Sequence, residues 1–256
     1  MKGNLSLNIK CFIALFKIIV KQNYLVMKRM KSLFAILAVI ALTSCNPHFL
    51  SNRFDSLTAD HKVIAVLPFE MRFTGFMPKE MFEEDIILIE EAESRAFQYS
   101  FYNELLRRTR IPNKALKVEV QDHGKTLALL EKNGISIRES WNMLPEELAP
   151  ILGVDAVVRA RVQKARIMSD LASFGIEIGR DLVNRIARIP FRVWMSGISN
   201  QNKVIVADFA LFNENNGTTL WSIEFQEDAD WRKPANETIA EISQRAVKRF
   251  PYRYKN

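Results

Sequence analysis

Leu152-Gly153-Val154-Asp155-Ala156-Val157-Val158 takes the chain out of a helix and directly into a buried strand. Gly153 stands where a helix closes with a left-handed residue, a conformation that glycine enters without a Cβ penalty. The valines after it suit a strand covered on both faces. Upstream, Pro145 to Leu152 reads as the helix. Downstream, the strand continues to Lys164, with Arg159, Arg161 and Lys164 expected to point outward at its far end.

Working towards the N-terminus, Ser136 to Met143 holds Trp141 as a packing anchor, and Gly124 to Lys132 reads as a further helix. Leu116 to Val120 alternates as a half-buried strand should. From Glu90, the residues Ala92, Ala96, Phe97, Phe101, Leu105 and Leu106 fill one helical face, which Ile111-Pro112-Asn113 ends. Glu70 to Glu84 has no clean period and is expected as a mobile or partner-facing loop with a short helix. Lys62 to Phe69 is a continuous apolar run that suits a first buried strand, stopped by Pro68.

Towards the C-terminus, Lys203 to Asn213 and Thr218 to Phe225 alternate as two strands joined through Glu214-Asn215-Asn216-Gly217, where Asn-Gly supplies the backbone angles of a hairpin turn. A helix follows from Ala235 to Arg249, then an aromatic-basic tail, Phe250-Pro251-Tyr252-Arg253-Tyr254. Between the Lys164 strand and the hairpin, about 166–190 is an amphipathic helical insertion. Leu171, Phe174, Ile178, Leu182 and Ile186 form one stripe, with Arg180, Arg185 and Arg188 mostly off it, a pattern suited to a membrane surface, a subunit interface or docking on its own domain.

The N-terminal end carries the strongest motif. Lys28-Arg29-Met30-Lys31 precedes an apolar run from Leu33 to Leu42 and the sequence Leu42-Thr43-Ser44-Cys45, the layout of a secretory signal peptide. The run is too short for the ~20 apolar residues of a spanning helix. Cys45 behind Leu and two small residues resembles the lipobox of bacterial lipoproteins, which implies acylation of Cys45 before cleavage. Residues 1–26 place a second apolar run ahead of this signal and read as a mis-called upstream extension, with Met27 or Met30 the start. Residues 27–44 are then the signal peptide, 45–61 a lipidated tether, and 62–256 one domain. By resemblance to proteobacterial sorting, Asn46 after the lipidated residue favours the outer membrane.

Removal of the leader changes what the charge means. The net +7 resides entirely in the leader's seven basic residues, and the remaining chain is balanced with 29 basic and 29 acidic side chains. A nucleic-acid partner loses its main support, since phosphate binding relies on a basic footprint. Cys45 is the only mature cysteine, so no disulfide or thiolate zinc site can be built. His48, His61 and His123 have no metal-ligand spacing and read as surface residues, and Glu83-Glu84-Asp85 with Glu90-Glu91 reads as a solvated face. No cofactor, metal or catalytic motif is expected. Trp194, Trp221 and Trp231 read as core or sheet-edge anchors.

The first strand ending in Leu67-Pro68-Phe69, the Leu152–Val158 turn into a strand, the hairpin with Asn216-Gly217-Thr218-Thr219-Leu220-Trp221-Ser222 and the terminal helix together resemble the lipoproteins related to the curli-secretion lipoprotein and to the amino-terminal domain of TolB. The resemblance covers Lys62–Phe250 in element order. It implies an α/β (α+β) domain, a mixed β-sheet flanked by helices with a C-terminal β-hairpin and helix. It also implies outer-membrane anchoring with a periplasmic domain, a non-enzymatic role in assembly or export, and envelope proteins or further copies of the chain as partners. Two other readings stand beside it, an oligomeric component of an outer-membrane export channel and a periplasmic hydrolase. The chain departs from pore-forming members in lacking paired amphipathic strands outside its sheet.

Overall fold

The computed structural model describes residues 48–75, 81–111, 115–164, 204–228 and 233–252. The chain divides into two compact units, Met1–Asn46 and Pro47–Asn256, and all described residues belong to the second. Its elements are β1 (His48–Leu50), α1 (Phe54–Leu57), β2 (Val63–Val66), β3 (Glu70–Phe73), α2 (Glu83–Thr109), β4 (Glu119–Val120), α3 (His123–Lys132), α4 (Ile137–Asn142), α5 (Pro145–Leu152), β5 (Ala156–Lys164), β6 (Val204–Asn213), β7 (Thr219–Asp228) and α6 (Ala235–Lys248). The fold is α+β: a seven-stranded mixed sheet, ordered β1-β7-β6-β5-β2-β4 with β3 also on β5, flanked by helices.

The Leu152–Val158 stretch folds as its residues direct. Gly153 closes α5 with φ +66°, and Val154 N–H donates back to the Ala149 carbonyl at 3.1 Å. β5 then runs parallel to β2 and β3 and antiparallel to β6. The hairpin forms as expected, with Gly217 at φ +58° and Phe209 opposite Ile223.

The stretch from Glu70, expected as a loop, is instead a strand. Pro68 interrupts without ending it: Val66 pairs with Val158 and Glu70 with Arg161, so four residues of one strand face three of the other. This extra residue reverses the alternation, because one added residue moves every later side chain to the other face. Ile64 and Val66 lie in the main core before the proline, and Phe69 and Met71 after it, leaving Glu70 and Arg72 on the opposite face.

Helix α2 begins at Glu83, seven residues before its expected start. Three of the acids that read as a solvated face, Glu83, Glu84 and Asp85, are its first turn, where negative charge complements the helix dipole. Asp85 is buried and its carboxylate accepts from Phe82 N–H at 3.1 Å. Apolar periodicity missed this start because α2 is polar where it meets the sheet: the Gln98 side-chain amide donates to the Val66 carbonyl at 2.8 Å, and Glu93 pairs with Lys164.

That pair also corrects the expected outward direction of Lys164. Ala156, Val158, Ala160 and Val162 alternate into the main core, and Lys164 continues their parity, 1% exposed against a Glu93 at 0%. Arg159 and Arg161 do face the other way, as expected.

Two further stretches enter the fold rather than trailing from it. His48–Leu50, part of the expected tether, pairs antiparallel with Trp221–Ile223 as the edge strand β1. Phe250 and Tyr252, from the expected tail, are 0% and 2% exposed and complete the main core with Trp221, Phe209, Phe101 and Phe69. Phe250 meets the Trp221 ring edge-on at 5.4 Å and the Phe101 ring at 6.2 Å. A smaller core, Ala65, Leu67, Leu130, Leu148, Ala149, Leu152, Val154 and Val157, covers the opposite sheet face beneath α3 and α5. Trp141 packs partly buried against the main core, with the Arg138 guanidinium 5.2 Å from its ring.

Candidate functional site

The small second core covers only part of its sheet face, and the remainder is a cross-strand array of charge. Register alone places Glu224, Asp208, Arg161 and Glu70 side by side on β7, β6, β5 and β3. The Arg161 Nε donates to Glu70 Oε2 at 2.7 Å, and the Arg72 Nε to Glu70 Oε1 at 2.7 Å, so one carboxylate holds two guanidinium groups. The neighbouring row runs Phe49, Ser222, Ala210 and Arg159. The Arg159 guanidinium donates to the carbonyls of Ser140, at 3.3 Å, and Met143, which ties β5 to the end of α4.

The array is electrically lopsided. Asp208 has its carboxyl raised above the ordinary range by burial, and Glu224 across the strand pair raises it further while Arg161 opposes. Positive charge gathers on β5 and negative charge on β6 and β7, while Glu70 and Arg72 balance on β3. Such a surface can bind a protein of complementary charge, with the strands' side chains giving specificity. Sequence reasoning missed Glu70 and Arg72 because the stretch was not read as a strand. The signal was present: Glu70-Met71-Arg72-Phe73 alternates.

A second feature is a cleft of about 1010 Å³ between the chain around α1, the approach to β4 and the C-terminal residues. His61 Nδ1 and the Tyr252 hydroxyl lie 2.5 Å apart on its wall, beside Lys117, Phe54 and Pro251. Burial lowers the His61 imidazole below its ordinary value of 6.5, against the opposing charges of Asp155, Glu214 and Asp60. Burial likewise raises the Tyr252 phenol, with Asp155 adding to it.

His61 and His123 sit differently from expectation. His48 is exposed on β1, whereas His61 is partly buried and bonded to Tyr252. His123 is partly buried against Tyr99 and Tyr102, with ring centroids at 5.0 and 5.2 Å. Glu90 is also not solvated: it accepts from Phe73 N–H at 2.9 Å and pairs with Arg138. Trp221 is a core anchor, as expected. Among the described residues no group of three His, Cys, Asp or Glu could hold a metal ion, and no helix is long and apolar enough to cross a membrane. Cys45, the stripe Leu171, Phe174, Ile178, Leu182 and Ile186, and Trp194 and Trp231 lie outside the described residues.

No protein-family model and no curated protein matches the chain. Among solved structures it is similar to a lipoprotein of Neisseria meningitidis, at 15% identity and a TM-score of 0.36, over 73% of this chain and 94% of that one. It is similar to a PelC dodecamer from Paraburkholderia phytofirmans at 12% identity and TM-score 0.39, over 83% and 99%. For the C-terminal domain of LpoB from Salmonella enterica the values are 11% and 0.33, over 68% and 92%. At these values the similarity decides nothing about function.

Proposed function

We propose that this chain is a lipoprotein held in the outer membrane by acyl chains on Cys45, with a non-enzymatic periplasmic domain that binds envelope proteins or further copies of itself during assembly or export. The observation that carries the reading is Leu42-Thr43-Ser44-Cys45 behind a basic and apolar leader. A lipoprotein needs its cysteine at the new N-terminus, and Cys45 lies outside the unit Pro47–Asn256. The lopsided charge array supports the binding role, since it sets side chains of both signs side by side on one sheet face. Growth with an alkyne-bearing palmitate analogue tests the anchor. The wild-type chain is expected to take up the label and Cys45→Ser to remain unlabelled; label on the serine variant would overturn the reading.

A further inference from the structure

Helices α2 and α6 finish next to each other, and both finish in cations. Arg107 and Arg108 stand in the last turn of α2 with Arg110 after it, while Lys248 closes α6 with Arg249 after it. The two ends touch, because the Arg108 guanidinium donates to the Val247 carbonyl. Glu104 lies at the same junction, and its carboxylate accepts from Arg107 at 2.7 Å. Each helix end also carries roughly half a negative charge from its aligned peptides. The five cations outweigh Glu104 and the two helix ends, which together offset about two of them.

Between the helix ends lies a cavity of about 130 Å³, lined by Arg107, Arg108 and Lys248 together with Glu104, Ile111 and Val247. At ~30 Å³ for each water it holds about four. That is room for one small oxyanion, and well short of the ~300 Å³ at which pockets for whole drug-sized ligands begin. Arg108 is its buried wall, 7% exposed, while Arg107 and Lys248 are exposed at its rim. An anion that meets Arg108 there gains more than it would at a fully solvated guanidinium, because the local dielectric is lower. A guanidinium carries five N–H donors and an ammonium three, so each can serve several acceptors at once. The bond to Val247 and a bound anion are therefore compatible.

We infer that this cavity binds a phosphate monoester or free phosphate. A carboxylate offers two oxygens and one charge, which a single guanidinium fork satisfies. A phosphate monoester offers three oxygens and close to two charges, which suits the several cationic heads that Arg107, Arg108 and Lys248 bring from two helices. Ile111 stands beside the cavity with 43% of its surface exposed, so the apolar part of a lipid has a surface to lie on as well. The shared chemistry is the phosphate, whether it arrives alone or as a lipid headgroup. The inference is independent of the anchor at Cys45.

The test is a calorimetric titration of the full chain in non-ionic detergent. Inorganic phosphate is the first probe, with chloride at matched ionic strength as its blank. Dihexanoyl phosphatidic acid is the second, with dihexanoyl phosphatidylcholine as its blank. Phosphate is expected to bind saturably above the chloride blank. Arg107→Gln combined with Lys248→Gln, both at exposed positions, should weaken it about tenfold or more, since each removes a charge-assisted hydrogen bond. The circular-dichroism spectrum of that variant should be unchanged. Lys125→Gln, exposed on α3, should leave the affinity within about twofold, as a solvated charge far from the cavity contributes little. Phosphate that binds no better than chloride, or that binds the double variant as well as it binds Lys125→Gln, overturns the inference. The two probes separate the sources. Phosphatidic acid bound more tightly than inorganic phosphate assigns the site to a lipid headgroup, and equal or weaker binding assigns it to free phosphate.

Discussion

Lys164 and Glu93 are a carboxylate and an ammonium removed from water together. Two buried charges stabilise each other only while both are present, and loss of one leaves the other desolvated. Lys164→Met is expected to cost about 3–5 kcal/mol in urea unfolding, and the double variant Lys164→Met with Glu93→Leu to recover much of it. A double variant no more stable than the single would show that the two charges are not coupled. His61 sets a pH dependence. Its folded value lies below 6.5, so the unfolded chain binds the proton first as pH falls. The stability His61 contributes is therefore present above that value and lost as pH drops through the folded one. The melting temperature should fall between pH 7 and 5, and fall less in His61→Gln, whose amide can still accept from Tyr252. Gly217 is a third single-residue constraint. Its φ of +58° strains any residue with a Cβ, and the Glu146 carboxylate beside it would have to swing aside. Gly217→Ala should cost about 1–2 kcal/mol, read from the shift in denaturant midpoint.

At the scale of elements, the C-terminal helix and the residues after it act together. Ile239, Ile242, Ala246 and Val247 bury one face of α6, and Phe250 and Tyr252 continue into the same core. Phe250→Ala should destabilise by about 3–5 kcal/mol, the usual cost of emptying an aromatic site, and a chain stopped at Arg249 should show broadened amide spectra. A truncated chain with sharp native spectra would mean the core closes without these rings. The hairpin, α5 with its glycine cap, β5 and α6 were legible because each carries its own local signal: an Asn-Gly turn, a left-handed glycine, a β-branched run, a 3.6-residue stripe. What was not legible depended on partners distant in sequence. β1 has only three residues, and its identity as a strand comes from Trp221–Ile223. Lys164 reads as a surface residue until Glu93 is placed opposite. Tyr252 reads as a tail residue until His61 and Phe54 surround it. The open charge array was half legible, since the arginines of β5 face where alternation put them, while Glu70 and Arg72 needed the bulge at Pro68.

For the whole molecule, removing the proposed anchor should leave the unit Pro47–Asn256 folded. Cys45→Ser is expected to move the protein from the membrane pellet to the soluble fraction with an unchanged melting temperature, because Cys45 lies outside the unit Pro47–Asn256. Retention of that variant through carbonate and high-salt washes would place the anchor elsewhere in the chain. The pairing of β1 with β7 has one more consequence. A polypeptide threaded N-terminus first through an export pore delivers β1 long before β7, so the sheet cannot close during most of the passage. On the lipoprotein reading proposed above, acyl transfer to Cys45 would then meet a chain whose sheet is still open, and the main core would close only once Phe250 and Tyr252 have emerged.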